Sequence, residues 1–241
     1  MTHKFEQRGE PEQADDWNSV VFASAEPRLR GREIFLSASI PDASRWHEPF
    51  DPLEITSAAL AVVQAILHHG GRFCYGGHPA ISPLVVRVAA AVFADKPPHP
   101  PMITIYQSEL YAERIPESTI ALVKQGYAKF VRVPGMQGEK PDPGMNTQSL
   151  REMRKRMLNP VAHQYAAGLF IGGMEGIIAE ADLFRRLHPT APVYGFGGPG
   201  GAAAQVNSQL NNSHAISPLY EKISTDREYG ILMDDIIADL Q

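Results

Sequence analysis

The chain has 241 residues, 44% hydrophobic and 20% charged, enough to bury the core of one large domain and composed like an ordinary globular protein. Its formal net charge of −5, with no extended basic face, argues against a nucleic-acid groove, and no apolar run nears the roughly 20 residues of a membrane span. The polar start lacks a signal-peptide apolar region, and Cys74 as the single cysteine excludes an intrachain disulfide, so a cytoplasmic location is expected.

Residues 1–30 are polar and aperiodic and are expected to form an arm, leaving residues 31–241 as one domain. "EIFLSAS" (33–39) reads as the first strand. In "DPLEITSAALAVVQAILHHGG" a helix is marked by Asp51 as N-cap, Pro52 in the first turn, Glu54 at the capping-box position and Gly70 at the end. "RFCYGG" is the second strand, and "SPLVVRVAAAVFAD" a helix opened by Ser82 and Pro83. "MITIYQS" (102–108) and "AKFVRV" (128–133) are strands around the helix "IPESTIALVKQG", which Gly126 closes. The Pro- and Gly-rich "PGMQGEKPDPGMN" is a loop long enough to suggest a role on the ligand side. A helix over 147–165, a strand 166–173, a helix 175–188, a strand 191–198 and a short helix near 201–211 follow. "YGILMDDIIADL" closes the chain as an amphipathic helix. This alternation predicts a Rossmann-like, doubly wound α/β fold, a parallel sheet with helices on both faces.

Three strand ends carry glycine pairs: Gly76 and Gly77 before His78, Gly172 and Gly173 before Met174, Glu175 and Gly176, and Gly197 and Gly198 in "YGFGGPGG". Ligands of doubly wound sheets sit outside the carboxyl ends of the strands, where a helix N-terminus also favours an anion. Ser37 and Ser39 add hydroxyls at a fourth strand end, suited to a phosphate or ribose. Tight turning alone is the competing account of each pair. None of the three is a GxGxxG or a P-loop, which argues against a dinucleotide fingerprint or an NTPase.

"FCYGGHPAISPLVVRVA" is similar to the YGGGxxGLMG-type stretch, and "FIGGMEGIIAE" to the PGGxGTxxE signature, of the LOG (lysine decarboxylase-like) proteins of the SLOG superfamily, which includes DprA/Smf. With "FLSASIP", the set resembles most the SLOG sensor domains of bacterial conflict systems such as Thoeris antiphage effectors. The resemblance spans about residues 31–200. It implies either a sensor of nucleotide-derived signals, such as cyclic ADP-ribose variants, or a phosphoribohydrolase cleaving the N-glycosidic bond of nucleoside monophosphates. Ile171 replaces the signature proline and Ile177 the threonine, and loss of that hydroxyl disfavours hydrolysis more than binding.

In "TQSLREMRKRMLNPVAHQY" the residues Leu150, Met153, Met157 and Val161 form an apolar stripe, and at about 100° per residue Arg154 lies at its edge. The resemblance also implies a functional arginine on this helix, and a guanidinium fork matches phosphate oxygens. Glu180 edges the stripe of Ile177, Ala181 and Phe184. In an enzyme it would act at the ribosyl centre, in a sensor it would hold a ribose hydroxyl, and in a purely structural role it would pair with Arg154. Glu175 suits the helix dipole. His78 is a candidate phosphate or base contact, and Cys74 is expected in the core. No metal-ligand spacing is present, and neither a metal nor another cofactor is expected.

The leading expectation is a nucleotide-derivative sensor in antiphage or stress response, acting through a separate effector protein. A LOG-like phosphoribohydrolase using Arg154 and Glu180 is the second, and an inert assembly domain the third. The helix "PLVVRVAAAVFA" (83–94), apolar nearly all round, suggests a homodimer or higher oligomer.

Overall fold

A computed structural model of the chain describes residues 27–94, 96–141, 147–211 and 218–241. The strands are β1 (Glu33–Ser39), β2 (Arg72–Tyr75), β3 (Ile103–Ser108), β4 (Ala128–Val133), β5 (Tyr165–Gly172) and β6 (Val193–Phe196). They form one sheet in the order β4-β3-β2-β1-β5-β6, with every pairing parallel. The chain runs outward from β1 to β4 and returns to the other side of β1 for β5 and β6. The order therefore reverses between β1 and β5, where a doubly wound sheet opens its crevice.

The helices are α1 (Pro52–His68), α2 (Ser82–Phe93), α3 (Glu117–Lys124), α4 (Gln148–Met157), α5 (Glu175–Leu187), α6 (Ala202–Asn211), α7 (Pro218–Thr225) and α8 (Tyr229–Asp239). Side chains alternate across each strand, so β1 feeds two cores. Ile34 and Leu36 join Val62, Val63, Ile66 and Ile237 on the α1 and α8 side. Phe35 joins Met153, Phe170, Phe184 and Val206 on the α4, α5 and α6 side. Phe35 and Phe184 stack there at 5.7 Å between centroids. Burial on both faces explains why β1, β2 and β5 read as continuous apolar runs.

Asp51 caps α1 as expected, its carboxylate accepting from the amides of Leu53 and Glu54. The other half of the capping box does not form. The Asp51 amide donates to Pro199 O, and the Glu54 carboxylate instead accepts from Tyr229 Oη at 2.6 Å, tying α1 to α8. Asp51→Ala is expected to cost about 1 kcal/mol. An unmoved urea midpoint would show that Pro52 and tertiary packing suffice to start the helix.

Two expected spans are corrected. The helix expected over 147–165 ends at Met157, because Pro160 pushes Asn159 out of helical backbone. Val161, assigned to the apolar stripe, is consequently 93% exposed, while Leu158 is buried in its place. The strand expected over 191–198 shortens to Val193–Phe196, the residues that pair with β5. Helix α7 and a 3-10 turn over Glu109–Arg114 were not expected, since each buries almost no apolar side chain. Residues 1–26 of the expected arm lie outside the described residues. Leu29 is buried, with its amide donating to His69 O. Among the described residues no helix is long and apolar enough to cross a membrane.

Candidate functional site

At the reversal between β1 and β5, the chain leaving β5 passes hard against the end of β1. The amide of Gly173 donates to Ser39 O at 2.8 Å, and Gly173 O accepts from Ala202 N at 2.9 Å. Gly172 and Gly173 both have positive φ, +60° and +67°. A Cβ on Gly173 would lie 2.3 Å from Ile177 and 2.9 Å from Ser39 Oγ. Only glycine passes there.

This route delivers the N-terminus of α5 to the crevice. Met174 is its N-cap residue and makes no side-chain capping bond, and Glu175 in the first turn is exposed. A helix start of this kind presents amides and the positive end of the helix dipole. Arg154 reaches the same turn from α4. Its Nη2 lies 3.0 Å from where a Cβ on Gly176 would stand, so the glycine leaves room for the guanidinium.

Glu180, one and a half turns further along α5, fixes that guanidinium. Its Oε1 accepts from Arg154 Nε at 2.8 Å and its Oε2 from Ser37 Oγ at 2.6 Å. The Arg154 and Glu180 side chains are each only 13% exposed. Charged hydrogen bonds of this kind are worth about 1.5–3 kcal/mol each. The pairing weighed as a structural alternative is thus present, and both carboxylate oxygens of Glu180 are engaged inside the protein.

At the end of β2, Gly76 is open, with Met153 Cε the nearest atom at 3.9 Å from its missing Cβ. Gly77 has φ +66° and packs against Ile105 and Gln107. His78 is half-buried, and its Nδ1 accepts from the Ala80 amide at 3.2 Å. Burial holds its pKa below the usual imidazole range, partly opposed by the negative charge of Glu180. Cys74 is fully buried and burial pushes its thiol far up, as suits a core residue rather than a nucleophile.

Gly197 and Gly198 do not join this cluster. A Cβ on them would meet Ser224 O at 2.7 Å and Asp226 O at 2.8 Å, so close packing on the end of α7 accounts for both. They do line an open groove of about 560 Å³ on the β6 side, with Pro49, Phe50, Gln205 and Arg227. His78, Arg154 and Glu180 do not line it. The charged cluster is the better candidate site, because it lies at the strand-order reversal and combines a helix start with a fixed cation.

Sequence patterns did not single out Trp46. It is 8% exposed in the loop between β1 and α1, and its indole Nε1 finds no hydrogen-bond partner among the described residues. A lone tryptophan outside any periodic run carries no sequence signal for that. The described residues contain no group of three His, Cys, Asp or Glu side chains that could hold a metal ion.

The SLOG cluster3 family matches residues 45–235, most of the chain. No curated protein matches it. The solved structure of TM1055, a target of the Northeast Structural Genomics Consortium, is similar at 12% identity and a TM-score of 0.45, covering 85% of this chain and 99% of that one.

Proposed function

From the premise that the chain belongs to the SLOG cluster3 family, we propose that it binds a phosphorylated ribose ligand at the crevice between β1 and β5. The observation that carries this reading is the Arg154 guanidinium, held by Glu180 beside the side-chain-uncapped start of α5. A fixed fork and a helix N-terminus together suit a phosphate. On this reading the protein is a sensor of a nucleotide-derived signal such as a cyclic ADP-ribose, serving antiphage or stress response through a separate effector, as a homodimer or larger assembly.

The hydrolytic alternative asks more of Glu180. A carboxylate that activates water or supports a ribosyl cation must face the reacting carbon. Here Ser37 and Arg154 occupy both oxygens, and Ile177 supplies no hydroxyl. These features favour retention of the ligand over its cleavage.

A ligand that binds only the folded state at a hundredfold excess over its Kd adds about 2.7 kcal/mol of stability. For a chain of this size that is a rise in Tm of about 5–10 °C. Thermal-shift measurements with AMP, NAD, ADP-ribose and cyclic ADP-ribose isomers are expected to show it for at least one compound, which chromatography recovers intact. No shift at millimolar concentration overturns the binding reading. Free base released by the wild type but not by Glu180→Gln replaces the sensor with an enzyme.

A further inference from the structure

Resting on the phosphate site just proposed, we infer that His78 reads an uncharged acceptor on the sugar or base of the ligand, through an N–H held on Nε2. The backbone around His78 fixes its ring. Gly77 turns the chain at positive φ, and His78 O accepts from the amides of Ile81 and Ser82 at 3.0 and 2.9 Å, anchoring the residue to the start of α2. Nδ1 in turn accepts from the Ala80 amide at 3.2 Å. A proton on Nδ1 would set two N–H donors against each other. The ring therefore keeps its one proton on Nε2, as a neutral donor, and burial acts in the same direction.

The phosphate has its partners without His78: Arg154 supplies a permanent cation at the α5 start, and the first-turn amides add charge-assisted donors there. What a neutral N–H reads well is a hydroxyl or carbonyl oxygen, or a ring nitrogen. His78 stands at the end of β2, one strand across β1 from β5, and lies near enough to feel the charge of Glu180. A ligand with its phosphate on α5 thus extends its uncharged part across the end of β1 towards His78.

The test compares inorganic phosphate, ribose 5-phosphate and AMP by calorimetry on the wild type, His78→Asn and His78→Gln. Asparagine keeps an acceptor where Nδ1 stands but removes the outer donor, whereas glutamine carries an amide N–H out to where Nε2 stands. His78→Asn is expected to weaken AMP about tenfold and leave inorganic phosphate unchanged, with His78→Gln recovering most of the loss. Ribose 5-phosphate falling in step with AMP assigns the acceptor to the sugar, and its indifference assigns it to the base. Equal losses for AMP and inorganic phosphate overturn the inference, because His78 would then be a phosphate ligand. So does AMP affinity that ignores the His78 variants while depending on Arg154, which leaves the phosphate site standing. A wild type that binds none of the three overturns the inference, and one that also binds neither NAD, ADP-ribose nor a cyclic ADP-ribose isomer overturns the phosphate site with it.

Discussion

Arg154→Ala is expected to weaken binding of a nucleoside monophosphate by about 10- to 100-fold, the equivalent of one lost charged hydrogen bond. Arg154→Lys should recover little. The guanidinium spans two tasks at once, donating to Glu180 through Nε while Nη2 lies over the first turn of α5. An ammonium is a single point of charge and does not cover both. Removing the arginine also leaves the Glu180 carboxylate, 13% exposed, with Ser37 as its remaining hydrogen-bond donor of the pair. A stability loss of about 2 kcal/mol should therefore accompany the loss of affinity. Calorimetric titration at a temperature where the variant stays folded separates the two effects. Unchanged affinity in a folded Arg154→Ala protein would place the phosphate elsewhere.

Gly200→Ala is expected to be among the most damaging small substitutions in the chain, at about 2–4 kcal/mol. Gly200 has φ +78°, and a Cβ there would lie 2.3 Å from Pro49 O and 2.9 Å from Phe50 Cα. Both atoms are backbone, and Phe50 is bridged to Gly200 itself, so no side chain can swing aside. Gly31→Ala is the matched control. Its φ is +77°, yet nothing lies within 4 Å of its missing Cβ, so only the backbone penalty of about 1 kcal/mol applies. Urea midpoints of the two variants isolate the contact from the dihedral. Equal losses would mean that the loop between β6 and α6 relaxes away from Pro49.

Much of this architecture is legible in the chain because the forces that make it are local or periodic. Continuous apolar strands spaced by helical runs lead directly to a parallel sheet covered on both faces. Arg154 and Glu180 stand out because each edges an apolar stripe, and a polar residue at such an edge leans over whatever the stripe packs against. Their mutual bond, and the third partner Ser37, depend on the sheet bringing α4, α5 and the end of β1 together, which no spacing encodes. Glycines are ambiguous for a different reason. A missing Cβ says that something comes close but not whether it is ligand or backbone, and at Gly197 and Gly198 backbone packing fills that space. At α4 the apolar repeat running on to Val161 competed with the Asn159–Pro160 step, and the proline prevailed.

The central strand also ties the site to the order in which the molecule assembles. β1 pairs with β2 across a short stretch of chain, but Ser37 reaches Glu180 over 143 residues, and β5 cannot seat until that long loop closes. Contacts so distant in sequence are slow to form, because closure entropy is lost before they reward it. A partly folded chain holding only β1 to β4 has Arg154 or Ser37 without their carboxylate partner, and no start of α5 beside them. A ligand at this crevice thus recognises only the completed sheet, and its binding should slow amide exchange in β3 and β4 as well as in the strands it borders.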